Sequence, residues 1–297
     1  MNLNSALFSS VLTLLCLCNL SDQASLKDDL TLTYKQKRIL DKFRSVVISR
    51  LPHEYMKKDI YLVRWLRARN FNIPAAELML INNLKWREEN NIDTILEEDW
   101  SDFEREFPID IQGCDKEGRP VISIPVGDWD IRKAVLAGKQ QRAMRFFDKL
   151  YEEITTYIRV SQDKGENITQ FDVIFEMSNY NLIIQGCAMC IPVYGHFLRV
   201  YDYYFPGTSH SNILVNVPNI FLALWELLEP FRSTQDQFHL YGKNTMEWQA
   251  ALLKFIDKAH LTKQFGGVKN EPFTLDELKS DGGHFQCPKY AAHHSAL

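Results

Sequence analysis

The sequence predicts an α/β fold: a helical N-terminal module, then a lobe with a mixed sheet and flanking helices. Three observations carry this. Ile109 to Gln112 and Arg119 to Val126 read as short strands about the turn Asp115-Lys-Glu-Gly118, where Gly118 supplies the positive φ such a hairpin usually needs. Phe171-Asp-Val-Ile-Phe-Glu-Met177 is apolar enough to be a central strand. Between Ser211 and Gly242, a β-branched run ending at Pro218, an apolar helix and a second strand-like run, Phe238 to Gly242, follow one another. Strands separated by long helical segments indicate a mixed sheet with right-handed crossovers.

The elements follow in order. Residues 21–33 form a polar linker. Gln36 to Ile48 carries Ile39, Phe43 and Val47 at helical spacing, and Leu51-Pro52 ends it. Asp59 caps the next helix, with Leu62, Trp65 and Leu66 as its stripe. Asn72 with Pro74 opens a third helix through Leu78, Ile81, Leu84 and Trp86. After the hairpin, Ala134 to Val160 and Leu182 to Tyr204 each read as one long helix. Asn244 to Ile256 is an amphipathic helix, and Thr274 to Leu278 a last short one.

In the apolar helix from Asn219, which Asn219 caps, Ile220, Phe221, Leu222, Leu224, Trp225, Leu227 and Leu228 leave almost no polar face. A helix apolar all round needs apolar contact on every side, and this one is too short to span a bilayer. It is either an ordinary buried helix or a movable wall between an apolar cavity and a membrane.

The 297 residues are 45% hydrophobic, 24% charged and 12% aromatic, enough for a large apolar interior. A net charge of -4 excludes steering of the whole molecule toward nucleic acid. Ala6 to Leu20 is apolar or small, with no Lys or Arg before Lys27, and its length fits the core of a secretory signal peptide at residues 1–24. The lack of a basic residue at the start leaves a misassigned start or a membrane-associated arm open. With a signal the chain enters the secretory pathway, and Asn167-Ile-Thr169 becomes a glycosylation site; without one it is cytoplasmic with peripheral membrane association. The remaining divisions are a helical module at 34–100, the sheet lobe at 105–268 and a tail at 269–297.

Catalytic signatures are missing: no Gly-rich phosphate loop, no Gly-x-Ser-x-Gly elbow and no paired-histidine zinc helix. Neither cofactor nor metal is expected, nor an enzyme. Cys187-Ala-Met-Cys190 lies in an apolar helical stretch and reads as buried structural thiols, with a redox or metal role as the alternative. Cys114 and Cys287 complete a set too sparse for a disulfide scaffold. Lys57, Lys58, Arg64, Arg67 and Arg69 form the densest basic patch, either a solvated helix face or a contact for an anionic membrane.

Several of these stretches together resemble one family. Tyr61-Leu-Val-Arg-Trp-Leu-Arg-Ala-Arg-Asn-Phe, Asp115-Lys-Glu-Gly-Arg-Pro-Val, Tyr204-Phe-Pro ahead of Ile213-Leu-Val-Asn-Val-Pro, Leu227-Leu-Glu-Pro-Phe231 and Phe265-Gly-Gly267 are similar to the CRAL-TRIO lipid-binding proteins. The resemblance implies a monomeric carrier whose hydrophobic pocket is gated by a mobile helix, with Asn219 to Leu228 at the gate. Its cargo would be a hydrophobic lipid or isoprenoid-like molecule (tocopherol, retinoid, sterol or phospholipid), exchanged at a transient membrane contact. The alternatives are a regulatory protein-interaction module on the same fold, or a thiol-redox protein. Phosphatidylinositol-binding members carry a glutamate where this chain has Gly207 and a lysine where it has Gln237. The usual Asp-x-x-Gly-Leu after the central strand is replaced by Glu176-Met-Ser-Asn-Tyr-Asn-Leu182. An inositol headgroup therefore lacks its charged partners here.

Period-two alternation puts Ile122 with Ile124, Val173 with Phe175, and Ile213 with Val215 on shared faces. These six, with Ile220, Leu224 and Trp225, are the expected pocket lining. Phe221, Leu222 and Leu228 complete the expected gate.

Overall fold

The computed structural model describes residues 31–166, 168–185, 187–231 and 238–274. Residues 1–30, Asn167 of the sequon, Gln237, Cys287 and most of the tail lie outside that set.

Three helices form the first layer. Helix α1 (Tyr34–Val47) opens on a capping box: the Gln36 N–H donates to the Thr33 hydroxyl at 3.2 Å, and the Thr33 N–H donates to Gln36 Oε1 at 2.9 Å. Helix α2 (Asp59–Ala68) follows, and α3 (Ile73–Glu89) starts at Asn72, whose Oδ1 accepts the Ala75 N–H at 3.1 Å. Leu40, Phe43, Leu62, Leu66 and Leu80 make a core of their own between them. The face α3 buries is Ala76, Met79, Leu80, Asn83 and Trp86, leaving Leu78 exposed.

A short helix α4 (Ser101–Glu106) leads into the sheet: β1 (Asp110–Cys114), β2 (Pro120–Pro125), β3 (Phe171–Glu176), β4 (Ser209–Val215), β5 (Phe238–Leu240) and β6 (Phe273–Thr274). Its order is β5-β4-β3-β2-β1-β6. Strands β2 to β5 run parallel, and β1 is antiparallel to both β2 and β6, so the sheet is mixed. Helices α5 (Ile131–Leu136) and α6 (Gln140–Asp163), then α7 (Ile191–Tyr204), then α8 (Phe221–Leu227), make the crossovers. One sheet face, with Ile122, Ile124, Val173, Phe175 and Leu214, packs into the main core with α6, α7 and α8. The other, with Val121, Ile174, Ile213 and Val215, packs on Trp248 and Leu252 of α9 (Thr245–Phe255).

The structure corrects several boundaries. The predicted helix Ala134 to Val160 is two helices, because the chain turns at Gly138 with φ +74°. Leu182 to Tyr204 is α-helical only from Ile191, after a 3-10 turn at Ala188–Cys190: Pro192 lies in the first turn, where its missing N–H costs nothing. The Gln185 side chain holds the preceding segment, donating to the carbonyls of Gly127 at 2.9 Å and Trp129 at 3.0 Å. Helix α8 begins at Phe221 with Ile220 at its N-cap and no side-chain cap, so Asn219 does not serve as one. Thr274 is in β6, and the rest of the expected last helix lies outside the described residues.

One irregularity decides which residues share a face. Phe171 of β3 pairs with Ser209 of β4, yet Asp172 pairs with Ser211, so His210 is an extra residue. His210 Nδ1 and Asp172 Oδ1 approach to 2.9 Å at this bulge. Beyond it Phe175 faces Leu214 instead of Ile213.

The helical layer docks on the lobe through aromatic and charged contacts. Trp86 stacks on Tyr204 at 3.9 Å, and Asn83 Nδ2 donates to the Tyr204 carbonyl at 3.0 Å. Arg87, 7% exposed, donates to Glu152 of α6 at 2.8 Å.

Candidate functional site

An apolar pocket lies between the sheet and α8. The sheet contributes Ile124, Phe175 and Leu214, and α6 contributes Phe147. Helix α7 adds Tyr194, Phe197 and Leu198, and α8 closes the space with Phe221, Leu224 and Trp225, followed by Leu228. The cavity between these walls measures about 80 Å³. With α8 in this position the space is too narrow for a phospholipid. Among the described residues, the lining contains no Asp, Glu, Lys or Arg.

The structure brings Ile124, Phe175, Leu224, Trp225, Phe221 and Leu228 together at this pocket. Ile122 and Val173 share its sheet face but lie in the adjoining core. Ile213 and Val215 are a correction: both are on the opposite face, in the α9 core, because the His210 bulge shifts β4 by one residue. Leu214 takes their place. Ile220 and Leu222 point outward at 51% and 44% exposed, and Leu227 is 54% exposed. Helix α8 therefore presents large apolar residues to solvent as well as to the pocket, so it is not the fully buried helix that was one of the two expected alternatives. Its end is fixed differently: the Phe231 ring lies over Gly195 of α7, where an added Cβ would come within 3.0 Å.

Sequence reasoning missed Tyr194, Phe197 and Leu198, although their helical spacing was a readable signal. It also missed Tyr180, which follows β3 and meets Phe221 edge-on at 5.3 Å. The hydroxyl oxygens of Tyr180 and Tyr194 are both buried without a hydrogen-bond partner. Burial pushes Tyr180 up to about 12. It raises Tyr194 as well, helped by the nearby Tyr180 and Asp130.

The cysteine pair also departs from expectation. Cys187 and Cys190 are joined in a disulfide at the start of α7, outside the helical interior, and are not free thiols.

The basic patch does not form one open face. Lys57 pairs with Glu54 and Lys58 with Asp163. Arg64 donates to the Thr169 carbonyl, Arg69 Nη1 donates to the Ala68 carbonyl at 2.8 Å, and Arg67 is half-buried. Lys58 and Arg64 belong instead to a polar cleft between the helical layer and the lobe, with Arg87, Arg159, Tyr61 and Thr208. Glu152 pairs with Arg87 at 2.8 Å and with Arg159 at 2.9 Å, and Asp93 is a second acid on Arg87 at 2.5 Å.

On the far face of the sheet, donor atoms of Asp115, Asp172 and His210 lie within 4.8 Å of one another. Arg119 Nη1 stands 2.6 Å from Asp115 and 3.4 Å from His210, so a guanidinium already supplies the cation this cluster needs. Burial pushes Asp172 up to about 6.

Residues 104–267 match the CRAL/TRIO domain, more than half of the chain. The chain belongs to the CRAL/TRIO domain family. It is 28% identical over 274 residues to the SEC14 cytosolic factor of Yarrowia lipolytica, covering 87% of this chain and 53% of that protein. To the SEC14 cytosolic factor of Eremothecium gossypii it is 29% identical over 248 residues, covering 78% and 77%. To the phosphatidylinositol/phosphatidylcholine transfer protein SFH7 of Arabidopsis thaliana it is 27% identical, covering 84% and 47%. The CRAL/TRIO chain thus spans about half the length of two of these relatives. The crystal structure of Sfh5 superposes with a TM-score of 0.61 at 16% identity, covering 84% of this chain and 98% of that one, a likeness of fold. Within the CRAL/TRIO region Gly207 has φ +66°, a left-handed conformation that a glutamate would adopt only with strain. Among the described residues, no helix is long and apolar enough to cross a membrane.

Proposed function

We propose that this CRAL/TRIO protein carries a hydrophobic small molecule or lipid in the pocket beneath α8 and exchanges it at a membrane surface when α8 swings out. The observation that carries this reading is α8 itself. Its inner side, Phe221, Leu224 and Leu228, covers an uncharged pocket, while Ile220, Leu222 and Leu227 face outward. A permanent core helix has no need of three exposed large aliphatic residues on one short segment; a helix that meets acyl chains does. The names of the similar proteins, among them a phosphatidylinositol/phosphatidylcholine transfer protein, support lipid transfer as the general role. Two of them are named cytosolic factors, which supports action in the cytoplasm with peripheral membrane contact.

Phosphatidylinositol is a poor candidate cargo. Gly207 offers no acidic side chain to an inositol ring, and three of the four basic residues of the nearby cleft are already paired with acids: Arg87 with Glu152 and Asp93, Arg159 with Glu152, and Lys58 with Asp163. The test is extraction and mass spectrometry of lipid retained by the purified protein, paired with transfer assays between vesicles. A neutral apolar lipid near one per protein, with phosphatidylinositol transferred poorly, is expected. Protein that retains nothing and takes up nothing from vesicles would refute the carrier reading.

A further inference from the structure

The disulfide between Cys187 and Cys190 joins cysteines only three positions apart. A bond across so short a loop restrains the unfolded chain least. The same turn is already closed by the backbone, where the Cys190 N–H donates to the Cys187 carbonyl at 2.8 Å. The segment ahead of it is held independently. The Asn181 N–H donates to Gln185 Oε1 at 2.7 Å, and the Gln185 amide donates to the carbonyls of Gly127 and Trp129. What the pair adds is chemistry: two sulfurs at Cys-x-x-Cys spacing where a helix begins.

The two sulfurs are not equivalent. Cys190 is fully buried in the main core, whereas Cys187 is half-buried and the two residues between them are exposed, Met189 at 58%. A reductant arriving from solvent therefore meets Cys187 first. Cys190 is the N-cap of α7, and its side chain makes no capping bond. Burial disfavours a thiolate there, but the helix dipole and the first-turn amides offset this. Pro192 has no N–H to give, so Val193 at the third helical position is the donor that a Cys190 thiolate would use.

We propose that Cys187 and Cys190 form a reversible thiol–disulfide exchange site for a dithiol reductant, and that its state sets how firmly the segment between β3 and α7 is held. A thiolate of the reductant attacks the Cys187 sulfur. The Cys187–Cys190 bond breaks, and Cys190 leaves as a thiolate that takes up a proton. The reductant's second thiolate then attacks its own sulfur in the mixed disulfide and releases Cys187, which is protonated in turn. Two electrons and two protons pass to the protein, and the dithiol ends as a disulfide. A disulfide oxidant runs the same steps backward. In the oxidised state the bond reinforces the Gln185 contacts; in the reduced state those contacts hold the segment alone. The exchange site stands whether or not the pocket carries cargo.

The test treats the folded full chain with dithiothreitol in native buffer, blocks free thiols with iodoacetamide and maps the peptides. Both Cys187 and Cys190 should become alkylated, and oxidised glutathione should rejoin them. Reduced glutathione, a monothiol, should leave its mixed disulfide on Cys187. Amides of residues 178–190 should exchange hydrogen about 5-fold faster or more in the reduced protein, with α2 and α9 unchanged. The Cys187→Ser/Cys190→Ser variant should show the reduced pattern without any reductant, which excludes an effect at another cysteine. If that variant does not fold, reduced and alkylated wild type gives the same reading. A pair that yields to dithiothreitol only after urea has unfolded the protein would overturn the proposal. So would thiols that oxidised glutathione does not join, or a glutathione adduct confined to Cys190. Equal hydrogen exchange in the two states would overturn the link between the pair and its segment.

Discussion

A single extra residue, His210, decides which side chains of β4 see the pocket. Because of it Leu214 lines the cavity and Val215 is fully buried against the α9 core. Two neighbouring substitutions separate the roles. Leu214→Asp puts a carboxylate at the edge of a cavity, and apolar probe retention should vanish in a protein that still unfolds cooperatively. Val215→Asp buries an unpaired charge in a packed core and should cost about 4 kcal/mol or more, with failure to fold as the extreme. Probe retention and urea denaturation, measured together, distinguish them; equal behaviour of the pair would count against the bulged register. The partner of His210 titrates in a way that can be observed. Burial raises Asp172 from 3.8 to about 6, so the folded state binds this proton more tightly than the unfolded chain. Its contribution to stability is therefore greatest at low pH and is lost as pH rises through the window from about 4 to about 6. In denaturation series across that window, Asp172→Asn should remove this falling component of the pH–stability slope.

At the scale of elements, α8 holds the argument. Swinging Phe221, Leu224 and Leu228 into water would cost on the order of 5–9 kcal/mol, an upper figure. Half of that already keeps the open state rare in solution. A bilayer changes the balance, since acyl chains replace the lost contacts and also receive Ile220, Leu222 and Leu227. Amides of residues 219–231 should therefore lose protection from hydrogen exchange, or change its pattern, when vesicles are added. Unaltered protection would identify α8 as a fixed core helix. Both ends of the segment have anchors that such motion must release: Tyr180 against Phe221 at the start, and Phe231 over Gly195 at the end.

For the whole molecule, the contact between the helical layer and the lobe depends on charges held out of water. Arg87 is 7% exposed and donates to Glu152, which is 5% exposed. Arg87→Ala would leave that carboxylate with Arg159 alone, at 2.9 Å. We expect a loss of about 3 kcal/mol in urea denaturation, at the lower end for a broken buried pair because Arg159 remains. A change near zero would mean that the Trp86–Tyr204 stack and the apolar contacts carry the docking without it.

The sequence by itself determined the order of strands β1 to β5 and of the main helices, the hairpin at Asp115 to Gly118 and the short apolar helix, because each follows from local periodicity, turn chemistry or side-chain volume. It also made Phe175 and Ile124 legible as members of one face of their strands. It left no trace of which β4 face joins them, because a bulge depends on how two strands pair and not on the pattern within either. Nor did it reveal that Tyr180 and Tyr194, fourteen positions apart, line one cavity. The ends of the predicted long helices failed for a related reason: Gly138 and Pro192 interrupt a periodicity that continues on both sides of them. Only the tertiary structure decided the pocket face, the outward apolar side of α8 and the two unpartnered hydroxyls, since burial is a property of what another part of the chain covers.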